Sequence, residues 1–155
     1  MNGWSPDKAW NDECGVFAAV GVPRAAEVVR LGLHALQHRG QESSGIVSSD
    51  NSGEFHVFKG LGLVSDVYTD AAIAQLPGQL SIGHNRYSTS GSITLDNTQP
   101  LRVVYRSGPL ALAHNGNLTN ARELRQGLRF LRRGFDGCGG GYGGSAFVAL
   151  PSRRW

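Results

Sequence analysis

Residues 12–17 read Asp-Glu-Cys-Gly-Val-Phe and contain one of only two cysteines in the 155-residue chain. The apolar run continues through Val20 and ends at Gly21. A short, nearly uninterrupted run of this kind predicts a strand, Gly15–Val20, that is buried on both faces. Taken alone, Cys14 is a weak functional signal, because a single free cysteine is most often a small buried hydrophobic residue.

The composition is that of one globular domain. Apolar residues make up 40% of the chain, and no apolar run approaches the ~20 residues that a membrane span requires. The first eleven residues contain no apolar segment typical of a secretory signal. The two cysteines predict neither a disulfide framework nor a metal site, so we expect a cytoplasmic protein.

The net charge of +3 is unevenly distributed. Residues 1–126 hold ten Lys/Arg and eleven Asp/Glu, whereas residues 127–155 hold five Arg and one Asp. The basic character therefore lies in the C-terminal tail, and the body of the chain gives no reason to expect a nucleic-acid partner.

Helical and strand patterns alternate along residues 14–126. The predicted elements are a helix from Pro23 to about Gln37, a hairpin of 44–49 and 54–59, a helix from Ser65 to about Leu76, a strand at 80–84, a hairpin of 101–105 and 110–113, and a helix capped by Thr119. Hairpins mixed with amphipathic helices predict an α+β fold, with helices packed on antiparallel sheet.

The pattern changes after Gln126. Residues 134–144 contain seven glycines in eleven positions, and no apolar periodicity remains. Such a segment buries too little surface to offset its ordering entropy, so 127–155 is predicted to be a disordered tail.

Three polar clusters raise the significance of Cys14. They are Gln37-His38-Arg39-Gly40-Gln41-Glu42, Gly83-His84-Asn85-Arg86-Tyr87-Ser88-Thr89 and Ala113-His114-Asn115-Gly116-Asn117-Leu118. The plainer interpretations are a polar helix end, a solvated strand end and an Asn-Gly turn.

The clusters also supply what amide cleavage requires. Arg86, placed just beyond a predicted strand, is suited to binding a carboxylate with its forked guanidinium. The side-chain amide of Asn115 beside the N–H of Gly116 forms a candidate oxyanion hole. With Cys14 as the nucleophile, a carboxylate-bearing amide is the predicted substrate. The residues themselves identify no fixed base.

Five segments, at 14–17, 36–45, 62–67, 83–89 and 113–120, together resemble the glutaminase domain of the glutamine phosphoribosylpyrophosphate amidotransferases. The resemblance covers about residues 12–126. It implies a class II glutamine amidotransferase with the αββα sandwich of antiparallel sheets found in N-terminal-nucleophile hydrolases, here incomplete.

The resemblance implies that residues 1–13 are a propeptide cleaved at the Glu13–Cys14 bond. The freed α-amine of Cys14 would then act as base for its own thiol, since their ordinary pKa values are ~7.7–8.0 and ~8.5. By resemblance, Asn115 and Gly116 would stabilise the oxyanion. The glutamine-binding residues would be Arg39, Gly40, His84, Arg86 and Thr89.

The implied activity is hydrolysis of glutamine to glutamate and ammonia. The ammonia would be transferred to phosphoribosylpyrophosphate, giving phosphoribosylamine in de novo purine biosynthesis, so the family is also a glycosyltransferase. No cofactor is expected within this chain. Mg²⁺ and, in members that hold one, a 4Fe–4S cluster would lie in regions absent here. Glutamine is the expected partner, with neither nucleic acid nor membrane, and full-length members are homo-oligomers.

Residues 127–155 depart from the family pattern. The expected Ser-Asp-(Ser/Thr)-Glu stretch, the later strands and the phosphoribosyltransferase domain are all missing, and Cys138 in its glycine run does not replace an iron ligand. The abrupt change at Gly127 suggests translation in a shifted frame.

Three alternatives remain open from the sequence. The chain could be an inactive glutamine-binding or scaffold module, or an RNA-binding protein acting through its Gly/Arg tail. It could also be a glutaminase domain of the glutamine–fructose-6-phosphate transaminase type, although those enzymes carry Tyr-Arg-Gly-Tyr-Asp and His-Thr-Arg-Trp-Ala-Thr where this chain differs.

Overall fold

The structure is a computed structural model that describes residues 14–50, 52–87, 94–105, 108–115, 123 and 146–149. Its strands are β1 (Gly15–Val20), β2 (Ser43–Ser49), β3 (Phe55–Leu61), β4 (Leu80–Arg86), β5 (Leu101–Tyr105), β6 (Gly108–His114) and β7 (Ala146–Ala149). Its helices are α1 (Ala25–Ala35), α2 (Val64–Val67) and α3 (Asp70–Ala74), with 3-10 turns at Gln37–Arg39 and Leu95–Asn97. None of these helices has the length and apolar character needed to cross a bilayer.

The strands form two antiparallel sheets. The first has the order β1-β4-β2-β3 and the second the order β5-β6-β7. Strand β4 lies between β1 and β2, so the chain segment that follows β4 emerges beside the segment that precedes β1.

The first sheet is covered on both faces. On one face, Ile46 packs with Val29 and Leu33 of α1 in the larger core cluster. On the other face, Val47 and Ile82 pack against the second sheet. Side chains alternate along a strand, so β4 sends successive residues to the helical layer and to the second sheet.

Helix α1 lies directly on β4 at Gly83. A Cβ at this position would lie 2.5 Å from Val29 Cγ1 and 2.6 Å from Leu33 Cδ1, which leaves no room for a side chain. Two residues later, the Asn85 side chain donates to the Leu33 carbonyl at 2.7 Å. These contacts set the height of α1 above the strand that carries the candidate site.

The α+β class with antiparallel sheets is confirmed, and so are both predicted hairpins. The fourth layer of an αββα sandwich would need the helix capped by Thr119, which lies outside the described residues except for Glu123, itself helical.

Two local predictions are wrong. Strand β1 is an edge of the described first sheet rather than a strand buried on both faces, and Val20 is 73% exposed. The single helix expected from Ser65 to Leu76 is two short helices, because Tyr68 and Thr69 leave helical geometry. The Thr69 side chain caps α3 by accepting from the Ala72 N–H at 3.3 Å, the role for which threonine is favoured.

Two further differences concern the end of β4 and the presence of a strand in the tail. Arg86 is the last residue of β4 rather than the first residue beyond it. In the tail, residues 146–149 form β7 beside β6, so the prediction of disorder does not hold for these four residues. Cys138 and the rest of 127–155 lie outside the described residues.

Candidate active site

Cys14 directly precedes β1 and contacts the end of β4. The register pairs Gly15 with Asn85, which sets Cys14 beside Arg86. The backbone N–H of Tyr87 donates to Cys14 Sγ at 3.4 Å, and the thiol donates to the Tyr87 carbonyl at 3.6 Å. The Arg39 side chain donates through Nε to the Cys14 carbonyl at 3.3 Å. The free thiol is therefore half-buried in a backbone pocket.

Burial is the main influence on this thiol. It raises the pKa of Cys14 above its ordinary value, and the carboxylate of Glu42 acts in the same direction. The backbone hydrogen bond from Tyr87 and the positive charge of Arg86 lower the pKa and partly offset the burial. In this arrangement the thiol is mostly protonated at neutral pH, so its use as a nucleophile requires a base.

Arg86 supplies the cation of the site. The residue is 9% exposed, and the register pairs it with Ser43 of the neighbouring strand β2. Because side chains alternate, Arg86 lies on the face of β4 that meets the second sheet. A largely buried guanidinium next to a free thiol is suited to binding a carboxylate.

Gly40 brings the loop after α1 against the end of β4. A Cβ on Gly40 would lie 2.7 Å from the carbonyl carbon of Arg86 and 2.8 Å from that of Asn85. The Glu42 N–H donates to the Arg86 carbonyl at 3.2 Å and fixes the same approach. The glycine is required here by close backbone contact, since its φ of −167° suits any residue.

His84 is fully enclosed. It is 0% exposed, lying between Val16 of β1 and Gly45 of β2 on the face that meets the second sheet. Burial, with smaller contributions from the charges of His114, Arg86 and Lys59, lowers its pKa to about 3, while a backbone hydrogen bond with His114 opposes the shift. The imidazole is therefore neutral at neutral pH. Direct contact of His84 with glutamine stays a prediction.

Asn115 directly follows β6 and is half-buried. The end of β6 lies near the end of β4, where the backbone of His114 forms a hydrogen bond with His84. The His114 N–H donates to Gln99 Oε1 at 2.8 Å, which fixes the backbone immediately before Asn115. Gly116 and Thr89 lie outside the described residues, so the oxyanion pair and the role of Thr89 stay predictions.

Three residues contribute to the site without having been predicted individually. Tyr87 acts through its backbone, which no side-chain pattern can reveal. Gln37 binds Gly40 and Val64 through its amide group. Asn85, 0% exposed, accepts from Ser44 Oγ at 2.8 Å and anchors the strand to α1. An amide residue in line with the apolar residues of the predicted strand and its polar continuation is the signal that could have identified Asn85.

No group of three or more His, Cys, Asp or Glu side chains is gathered as metal ligands within the described ranges. The described residues therefore do not offer the ligand set of a Mg²⁺ site or an iron–sulfur cluster.

Curated relatives match about three quarters of the chain. It is 52% identical over 117 residues to an amidophosphoribosyltransferase of Rhizobium etli, covering 75% of this chain and 23% of that protein. It is 51% identical over 123 residues to a chloroplastic amidophosphoribosyltransferase of Vigna aconitifolia, covering 79% and 25%. The chain is similar to the N-terminal part of the amidophosphoribosyltransferases. No family model matches it.

Solved structures agree with the amidophosphoribosyltransferase assignment. A structure described as the allosteric regulatory enzyme of purine biosynthesis matches with a TM-score of 0.73 and 41% identity, over 79% of this chain and 26% of that one. Glutamine phosphoribosylpyrophosphate amidotransferase from B. subtilis, complexed with ADP and GMP, matches with a TM-score of 0.69 and 41% identity, over 78% and 26%.

The chain spans about a quarter of the length of these amidophosphoribosyltransferases. A relative from Lacticaseibacillus casei is 50% identical over 122 residues, and the match covers 62% of that protein. The predicted resemblance is confirmed for the N-terminal part, and the transaminase-type alternative is not favoured.

Proposed function

We propose that the chain carries the glutaminase half of an amidophosphoribosyltransferase. It would hydrolyse glutamine to glutamate and ammonia, and the ammonia would be used on phosphoribosylpyrophosphate to give phosphoribosylamine. The observation that carries this proposal is the position of Cys14, whose thiol lies against the Tyr87 backbone beside a largely buried Arg86. This arrangement occurs in a fold shared, at 41% identity, with a glutamine phosphoribosylpyrophosphate amidotransferase.

The proposed reaction begins after cleavage of the Glu13–Cys14 bond. The freed α-amine of Cys14 accepts the thiol proton, and the sulfur attacks the side-chain amide carbon of glutamine. The tetrahedral intermediate collapses to a thioester as the nitrogen takes up the proton and leaves as ammonia. Water then adds to the thioester, giving up a proton to the amine, and the C–S bond breaks to release glutamate and restore the thiol.

The raised pKa of the Cys14 thiol supports the assignment of the α-amine as its base. A thiol that burial keeps protonated gains most from a base held within its own residue. In the proposal, Arg86 binds the α-carboxylate of glutamine, and Asn115 with Gly116 stabilises the oxyanion. Arg39, Gly40, His84 and Thr89 complete the glutamine site, the first two by positioning the loop that touches Cys14.

The same proposal includes the cofactors, the assembly and the cellular location of the enzyme. In this proposal, the phosphoribosylpyrophosphate site, Mg²⁺, any 4Fe–4S cluster and the contacts of a homo-oligomer would lie outside the matched region. We propose the cytoplasm as the place of action, although a chloroplastic protein is among the relatives.

The test combines the N-terminus with the activity. The full chain is purified, its N-terminal residue is identified by mass spectrometry, and glutamate release from glutamine is measured beside Cys14→Ala and Cys138→Ala variants. We expect a chain that starts at Cys14 and an activity that only Cys14→Ala abolishes. Retention of residues 1–13, or a processed chain without glutaminase activity, would contradict the proposal.

A further inference from the structure

The side-chain amide of Gln37 makes two hydrogen bonds in opposite directions. Its Nε2 donates to the Gly40 carbonyl at 2.5 Å, and its Oε1 accepts from the Val64 N–H at 2.6 Å. One partner lies in the loop that follows α1, and the other opens α2. The donor faces a carbonyl and the acceptor faces an N–H, so both ends of the amide are matched to their partners.

The loop residues on the Gly40 side of this bridge contact Cys14 and Arg86. Arg39, the preceding residue, donates to the Cys14 carbonyl at 3.3 Å. Gly40 itself lies against the backbone of Arg86, leaving no room for a Cβ. A displacement of the Gly40 carbonyl is therefore transmitted to Cys14 through one hydrogen bond and to Arg86 through direct contact.

The Val64 side anchors the bridge to a separate part of the chain. The first N–H groups of a helix have no intrahelical acceptor, so the Val64 N–H depends on Gln37. The nearby Gly62 N–H donates to the Glu42 carbonyl at 2.9 Å. Residues 62–64 thus bind both ends of the loop 37–42. The bond at Glu42 is to its backbone carbonyl, and the bond at Gln37 is to its side chain.

We propose that Gln37 is a positioning residue that fixes the loop 37–42 against the nucleophile Cys14. Only a side chain that both donates and accepts fits between the Gly40 carbonyl and the Val64 N–H. A glutamate of the same size keeps the bond to Val64 but, when ionised, sets its oxygen against the carbonyl of Gly40. The effect on glutamine hydrolysis rests on the proposed function, whereas the effect on the reactivity of the Cys14 thiol does not.

The experiment measures the rate at which iodoacetamide alkylates Cys14 in the full chain, across the pH range in which the thiol titrates. Peptide mass spectrometry separates Cys14 from Cys138. The variants are Gln37→Glu and Gln37→Ala, with Gln75→Ala as matched control. Gln75 is an exposed amide that donates to the Ala71 carbonyl at 3.2 Å within α3.

We expect both Gln37 variants to change the alkylation rate about fivefold or more, the effect of losing one hydrogen bond, or to shift the apparent thiol pKa. Gln75→Ala should match the parent chain. If the parent hydrolyses glutamine, Gln37→Glu should lower kcat more than it raises KM. A fall in Tm with an unchanged alkylation profile would assign Gln37 a purely structural role and overturn the proposal.

Hydrogen exchange of the parent chain keeps the proposal testable even where the variants fail to fold. The Val64 amide should exchange at least about tenfold more slowly than its intrinsic rate, because its acceptor is the Gln37 side chain. Exchange at the intrinsic rate would overturn the proposal. Absence of glutaminase activity in the parent would contradict the proposed function while leaving the alkylation and exchange results decisive for Gln37.

Discussion

Both polar groups of the Tyr87 backbone, the N–H and the carbonyl, form hydrogen bonds with the thiol of Cys14. The N–H donates to Sγ at 3.4 Å, and the carbonyl accepts from the thiol at 3.6 Å. The N–H stabilises a thiolate and the carbonyl stabilises a thiol, so the end of β4 can accommodate either state of the sulfur. Neighbouring charges and burial then determine which state predominates.

The charges of Glu42 and Arg86 should act on the Cys14 thiol in opposite directions. Glu42 raises the pKa of Cys14 and Arg86 lowers it. We therefore expect Glu42→Gln to lower the thiol pKa and to accelerate alkylation below that pKa, and Arg86→Gln to raise the pKa and slow it. The measurement is the pH dependence of Cys14 alkylation, with products identified by peptide mass spectrometry.

Glu54→Gln is the matched control for this pair, because Glu54 is exposed next to the turn between β2 and β3. Its alkylation profile should equal that of the parent chain. Shifts of the same sign for Glu42→Gln and Arg86→Gln would show that loop displacement, rather than charge, governs the thiol.

Gly40→Ala should displace the loop from the end of β4. The added Cβ would lie 2.7 Å from the carbonyl carbon of Arg86, which is backbone and cannot rotate away. Overpacking of this kind costs about 1–3 kcal/mol of unfolding free energy, measured by urea denaturation. Gln41→Ala, at the exposed neighbouring position, should remain within ~0.5 kcal/mol of the parent chain. Equal stability of the two variants would argue against the close approach.

Asn85→Ala should destabilise the fold through two buried groups at once. The substitution removes the donor to the Leu33 carbonyl and the acceptor for Ser44 Oγ. The Leu33 carbonyl still accepts from the Leu36 N–H at 3.1 Å, so the larger cost, about 1–3 kcal/mol, comes from the buried Ser44 hydroxyl left without its acceptor. Ser44→Ala removes only one partner and should cost less in the same urea experiment. A larger loss for Ser44→Ala than for Asn85→Ala would contradict the assigned hydrogen bonds.

His84 should make the protein less stable in acid. Its pKa is about 3 in the folded chain, below the ~6.5 of an exposed histidine. Above pH ~6.5 both states are neutral. As the pH falls from ~6.5 towards 3, only the unfolded chain takes up the proton, so the free energy of unfolding declines by up to ~1.4 kcal/mol per pH unit.

The measurement is urea unfolding at a series of pH values through this window. Burial also lowers the pKa of His114, which adds to the decline. His84→Gln should reduce the pH slope, whereas His34→Gln, at an exposed position of α1, should leave it unchanged. A His84→Gln slope equal to that of the parent chain would show that His84 is not the titrating group.

Hairpins could be read from the sequence because they depend on local patterns. The two hairpins follow from alternating apolar residues around turn-forming clusters, and β1 starts and stops where its apolar run does. The break of the second helix at Tyr68 and Thr69 could not be read in this way. Burial of Tyr68 in the core outweighed the helical spacing of its neighbours.

In the candidate site, too, the residue types could be predicted from the sequence, but their positions and burial could not. Residue chemistry predicted Cys14 as the nucleophile, Arg86 as the carboxylate-binding cation and Asn115 as an oxyanion donor, and these roles stay proposals. It misjudged Arg86 as lying beyond its strand, because hydrogen bonding to β2 extends β4 by two polar residues. It also could not distinguish the enclosed His84 from a surface ligand, since burial depends on the second sheet.

The sequence by itself therefore determined the types of chemistry that the chain carries and the order in which they occur. Only the tertiary structure showed how Tyr87 and Gln37 contribute to the site. Their contributions arise from a backbone amide 73 residues away from Cys14 and from a bridge between segments 27 residues apart. Contacts at such separations depend on how the sheet and helices pack, and local residue patterns do not encode their geometry.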